Sequence, residues 1–117
     1  MPLHKHLLTC LRQEVVPHCP NVGIGVHLNI SEGLSLDPAP ARTALLYDGD
    51  GRFCLSYRQL LTTAAGSRLK REIRDEFKRQ IDAVAADISC LDHLNSHHHT
   101  HAIPALFSIV CDLAAEY

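Results

Sequence analysis

Apolar residues recur along the chain with two distinct periods, and the change from one period to the other predicts its elements. Leu3, Leu7, Leu8, Leu11 and Val15 follow helical spacing, so residues 3–16 read as an amphipathic helix ended by Pro17 and Pro20. In "NVGIGVHLNI" the period falls to two. Val22, Ile24, Val26, Leu28 and Ile30 share one face, while Gly23, Gly25, His27 and Asn29 share the other. That is a strand with one greasy face. "SEGLSLDPAPAR" is a loop by its Pro, Ser and Gly content, and "ALLYDGDGRFCL" is a short hairpin or irregular turn with Asp-Gly twice at its tip. Its D-x-D-G lacks the remaining ligand positions of a calcium loop, which leaves the turn. Ser56 and Gln59 form a capping box that opens a short helix to about Ala65, closed by Gly66. Next, Leu69, Ile73, Phe77, Ile81, Val84 and Ile88 make one stripe. Lys70, Arg71, Arg74, Asp75, Lys78 and Arg79 cover the opposite, solvated face. "CLDHLNS" reads as a second strand. Pro104 fits the first turn of a final helix with Leu106, Phe107, Val110, Leu113 and Ala114 toward the core.

The order helix, strand, helices, strand, helix predicts an α/β chain with two parallel core strands and about four helices. A length of 117 residues suits one domain, spanning 1–117. The formal net charge of −2 gives no electrostatic case for nucleic acid, and no basic block interleaved with aromatics appears. His4, Lys5, His6, Arg12, Gln13 and Glu14 interrupt the N-terminal apolar residues, which excludes a signal-peptide core or membrane span there. The five cysteines contain no C-x-x-C, so reduced thiols in a cytoplasm are expected, mostly as small buried apolar residues. Cys90 and His93 lack the second Cys pair of a zinc site.

Candidate chemistry concentrates in "HLNSHHHTH", residues 93–101, which holds five of the nine histidines. In parallel strands the C-terminal ends lie on one side, where open α/β sheets and α/β barrels bind ligands. The first strand ends near His27-Leu28-Asn29 and the second near Asn95-Ser96-His97. Gly23 and Gly25 share the face of His27 and are expected to leave room beside it. His93, Asn95 and His97 share one parity, so His97 can point as His27 does. Two neutral imidazoles from neighbouring strands can grip one transition-metal ion, and the bland alternative is a set of structural histidines hydrogen-bonded to backbone. At most two or three of the five can reach one ion, and the rest would back the ligands or face solvent.

"VGIGVHLNISEG" together with "LDHLNSHHHTHAIPALFSIVCDLAAEY" resembles the YdjC-like family of carbohydrate deacetylases, over about Asn21 to Tyr117. The Gly-Arg-Phe stretch and the amphipathic helix before the second motif are similar too. The resemblance implies a metal-dependent hydrolase acting on acetylated chito-oligosaccharides, built on a distorted α/β barrel. It implies a divalent ion, magnesium or zinc, held by an aspartate and two histidines. His27 matches the histidine of the G-x-H-L-N motif and His97 the first histidine of the S-H-x-H run. His99 and His101 match further pocket histidines, and Asn29 and Asn95 are expected to line the pocket or back the ligands.

The family's opening Asp-Asp-Phe-Gly strand, source of the metal carboxylate and the base, is absent, as are the later β/α units. The chain therefore reads as the middle of that barrel, incomplete as a catalyst alone. Asp92 falls on the opposite parity from His97, Asp48 and Asp50 lie in the predicted turn, and Asn95 cannot be a base, so no catalytic residue is assigned. A zinc-like ion is expected over magnesium, because imidazole suits it and no carboxylate is in view. Two strands leave edges open and helix stripes half covered, which predicts a homo-oligomer. The alternative to an enzyme is a metal- or sugar-binding, or purely structural, relative that no longer turns over.

Overall fold

The computed structural model describes residues 2–39 and 43–117, with backbone only for 2–5. The last part of the predicted loop, at 40–42, and the side chain of Leu3 lie outside the described residues. The elements are α1 (Pro2–Cys10), a π-helical turn (Leu11–Val15), α2 (Val16–His18), β1 (Ile24–Leu28), α3 (Tyr57–Thr63), α4 (Ser67–Ala85), β2 (Leu91–Ser96), a 3-10 turn (His97–Ala102) and α5 (Pro104–Glu116). β1 and β2 pair in parallel, as the pattern predicts, with His27 opposite Asn95 and Leu28 opposite Ser96. A register irregularity follows Ile24. Each strand keeps one edge without a strand partner among the described residues, so this is a partial α/β unit and not a closed barrel.

The core forms between the sheet and the two long helices. β1 packs on α4, β2 on α5, and α4 on α5. Val26 and Leu28 of β1 and Ile30 just beyond it are buried, and meet the stripe Leu69, Ile73, Phe77 and Ile81 of α4. Each such apolar side chain contributes roughly 1.5–3 kcal/mol by leaving water. α5 turns Leu106, Ile109 and Leu113 inward, a set at i, i+3 and i+7. Phe107 and Ala114, expected in the core, are exposed, since Ile109 fills the i+3 position that the inward face demands.

Three further expectations change. The N-terminal helix does not stop before Pro17. A widened turn, with the Val16 N–H donating to the Leu11 carbonyl five residues back, lets the chain pass the missing proline donor and end at His18. None of Leu11–His18 is buried, and Leu8, Leu11 and Val15 of the apolar stripe are only half covered. All five cysteines are exposed, because the core positions are filled by Leu, Ile and Phe.

The charged face of α4 is not wholly solvated either. Glu76 is 0% exposed and accepts from the Ser35 hydroxyl (2.6 Å), the Leu36 N–H (3.0 Å), Gln80 Nε2 (2.9 Å) and Arg79 Nη1 (3.1 Å). Four donors compensate the desolvated carboxylate. One turn earlier, the Glu72 carboxylate accepts from the Leu45 and Leu46 N–H groups. Two acids of α4 thus strap down the long β1–α3 connection. Within it, Asp48 Oδ1 accepts from the Asp50 and Arg52 N–H groups and closes the Asp-Gly turn. The capping box opens α3 as predicted, with the Gln59 N–H on Ser56 Oγ and the Ser56 N–H on Gln59 Oε1. Among the described residues no helix is long and apolar enough to cross a membrane.

Candidate functional site

Parallel pairing brings both strand C-termini together, and His27 and Asn95 face each other across the sheet. His27 Nδ1 lies 2.8 Å from Asn95 Oδ1. Asn95 Oδ1 can only accept, so the proton sits on Nδ1, and His27 Nε2 presents its lone pair. That nitrogen lies 3.4 Å from Nδ1 of His97, the first residue beyond β2. The rings meet edge to face, with centroids 5.6 Å apart.

After His97 the chain turns sharply. His98 (φ 54°) and His99 (φ 52°) both adopt the left-handed conformation. Outside glycine this costs roughly 1–2 kcal/mol per residue. The surroundings hold it in place. Buried Ser96 accepts the His101 N–H at 3.0 Å, and its hydroxyl also meets His101 Nδ1 at 2.5 Å, which closes the turn at its base. The turn lays the His98 ring against His97, with centroids 4.0 Å apart and the planes tilted by 39°.

The loop after β1 folds a carboxylate over these rings. Asn29 Oδ1 accepts from the Ser31 and Glu32 N–H groups, and Asn29 Nδ2 donates to the Glu32 carbonyl at 2.6 Å. Gly33, at φ 79°, lets the chain leave this tight turn. Glu32 Oε2 then lies 3.3 Å from His97 Nε2, and Oε1 lies 3.7 Å from His98 Nε2. Ser31 Oγ stands 3.3 Å from His98 Nδ1. His97 Nε2 is shut off from solvent and has no hydrogen-bond partner. The Glu32 oxygen is near enough for an ion pair but off the line of a hydrogen bond. Glu32, His97 and His98 offer ligand atoms that all lie within 4.8 Å of one another.

Of the predicted site residues, the structure brings together His27, His97 and Asn95. Asn29 shapes the turn that carries Glu32. His101 is taken up by Ser96, and His99 faces the His101 ring at 6.0 Å. The space expected beside Gly23 and Gly25 is filled. A Cβ on Gly25 would stand 2.4 Å from the His93 ring, and one on Gly23 2.8 Å from the Asp92 carboxylate. Glu32 and His98 are missing from the sequence reading. Asn29 followed by Ser, Glu and Gly is the signal for Glu32, since an Asn side chain that caps the next amides folds its third neighbour back.

The YdjC-like protein family matches residues 6–117, and the chain belongs to that family. It is 39% identical over 98 residues to a carbohydrate deacetylase of Brevibacillus brevis, covering 84% of this chain and 36% of that protein. It is 34% identical over 104 residues to a carbohydrate deacetylase of Vibrio parahaemolyticus, covering 89% and 39%. To a chitooligosaccharide deacetylase of an Enterobacter species it is 30% identical over 96 residues, covering 82% and 36%. The chain spans 36% to 39% of the length of these three relatives. No solved structure matches it.

Proposed function

We propose that this chain carries the ion-holding part of a carbohydrate deacetylase that removes acetyl groups from chito-oligosaccharide-type sugars, the ion being held at the His27–His97 pair. The observation that carries this reading is the meeting of the two imidazoles at 3.4 Å over the ends of parallel strands. The donor set suits a zinc-like ion. It offers imidazole nitrogens with one carboxylate beside them, and the buried His97 Nε2 has no hydrogen-bond partner. A divalent ion held there would supply a Lewis acid for the acetamide carbonyl and lower the pKa of a bound water. The chain's own residues do the positioning. Asn95 fixes the proton of His27 on Nδ1, and Asn29 sets the turn that presents Glu32.

A second reading is a metal- or sugar-binding relative without turnover. It is favoured by the fact that Glu32, the one carboxylate in the group, stands against two imidazoles rather than free to accept a proton. Acetate release from N-acetylated chito-oligosaccharides with added zinc separates the two. Release that disappears in His97→Ala supports the enzyme. No release above blank at any zinc concentration leaves the binding reading.

A further inference from the structure

We propose that Cys19 and Cys90 are a redox pair, closing into a disulfide at the end of the sheet opposite the histidines and clasping the N-terminal helical arm to β2. This is independent of the ion-holding reading above.

α2 ends at His18, and Cys19 leaves helical torsions at φ −129° and ψ 65°. The Val22 N–H donates to the Cys19 carbonyl at 3.1 Å, so the chain bends tightly before β1 and keeps Cys19 beside the start of that strand. Cys90 immediately precedes β2, whose first residue, Leu91, pairs with Ile24. Both cysteines line one cavity of about 300 Å³, together with Val16, Val22, Ile24 and Asp92. Segments that enter adjacent strands run about 4.7–4.9 Å apart, within the range of about 4.4–6.8 Å between the Cα atoms of a disulfide. The cavity leaves the sulfurs room to swing across without displacing a core side chain. Both residues are exposed and stand outside the helices and strands, so a change in their torsions leaves those elements whole. Cys10 sits on α1, Cys54 in the β1–α3 connection and Cys111 on α5, and none of them lines this cavity.

The oxidant is a small-molecule disulfide of the glutathione class. One protein thiolate attacks it and releases a thiol, and the second protein thiolate attacks the mixed disulfide and releases another. The two cysteines lose two protons and two electrons, and the small disulfide takes them up as two thiols. The bond has something to hold. The ion pair from the arm to the body, Arg12 with Asp87 at 3.6 Å, is half exposed and contributes little in water. A Cys19–Cys90 bond closes a loop that contains β1, α3 and α4, and a long closed loop takes freedom from the unfolded chain. The closed form is therefore the harder one to unfold.

The test equilibrates the full chain, at high dilution, with oxidised and reduced glutathione, then alkylates it and maps its peptides by mass spectrometry. A Cys19–Cys90 linked peptide lacking two hydrogens is expected, with Cys10, Cys54 and Cys111 alkylated. The linked chain should unfold at a higher urea concentration than the reduced one. The triple variant Cys10→Ser, Cys54→Ser, Cys111→Ser should still close, and Cys19→Ser or Cys90→Ser should lose both the link and the rise in midpoint. Glutathione adducts on Cys19 and Cys90 without a link, or links through the other three cysteines in equal yield, would overturn the pairing. A linked chain with the urea midpoint of the reduced one would overturn the clasp.

Discussion

Gln80 of α4 grips the main chain of Asn29 from both sides: its Oε1 accepts the Asn29 N–H at 2.8 Å and its Nε2 donates to the Asn29 carbonyl at 2.6 Å. The same Nε2 reaches Glu76 Oε1 at 2.9 Å. The long helix therefore positions the residue just beyond β1, and through the Asn29 turn it positions Glu32 above the histidines. Gln80→Ala leaves a part-buried N–H and carbonyl without partners, a loss of about 1–3 kcal/mol. Urea denaturation should show it, together with weaker zinc response at His97. An unchanged midpoint would mean that water replaces the amide at no cost.

Much of this arrangement is legible in the sequence. The period of two in "GIGVHL", the 3.6-residue stripe from Leu69 to Ile81 and the Ser56–Gln59 box are local patterns, and each gives the element observed. The site is legible only in part. His27 and His97 follow from strand ends, which parallel pairing places on one side. Glu32 and His98 depend on backbone torsions that residue type does not announce. The double left-handed turn is imposed by the Ser96–His101 lock, not by any glycine. Glu76 was hidden for a similar reason, since a carboxylate on a charged helix face is buried only when a distant loop supplies its donors.

Stability should fall at both ends of the pH scale because of one pair, Asp37 and Tyr47. The Tyr47 hydroxyl donates to Asp37 Oδ2. That bond, helped by the Ala39 N–H and by Arg79, holds the Asp37 carboxyl below its ordinary value. Burial first, then Asp37, pushes the Tyr47 hydroxyl up to about 12. A depressed acid stabilises the fold above its unfolded pKa of 3.8, and that contribution is lost as pH falls through the lower folded value. A raised tyrosine stabilises below its unfolded value of 10.0, and the contribution is lost as pH rises toward 12. Urea midpoints measured against pH should drop in both windows. Tyr47→Phe should flatten the alkaline limb and shrink the acid one, and an alkaline limb that survives this change would assign the effect to another group.

Self-association is expected through the open sheet edges. Two strands alone make a marginal sheet, and unpaired edges are templates for another chain. Exposed apolar side chains, Leu7 and Phe107 at 57% each, add surface that gains from being covered. Sedimentation equilibrium should give a mass above the 13.0 kDa of one chain, rising with concentration. A single 13.0 kDa species over a wide range would count against homo-oligomers.

The left-handed pair should separate strain from binding. His99 has φ 52° and ψ 36°, its ring meets His101 edge to face, and it is not in the Glu32 group. Glycine adopts that conformation freely, but it also gives the unfolded chain more freedom to lose. The two effects oppose each other. Strain of roughly 1–2 kcal/mol against an entropic cost of roughly 0.5–1 kcal/mol leaves His99→Gly stabilising by up to about 1.5 kcal/mol. His98→Gly relieves the same kind of strain, yet it removes a ring that lies 3.7 Å from Glu32. It should therefore stabilise comparably while weakening the zinc response at His97, whereas His99→Gly leaves that response intact. Paired urea and zinc titrations on the two variants read both quantities. If His99→Gly lost stability, the ring contact with His101 would outweigh the backbone strain. If it lost the zinc response, the ion would depend on the shape of the turn as a whole rather than on the donors that the turn presents.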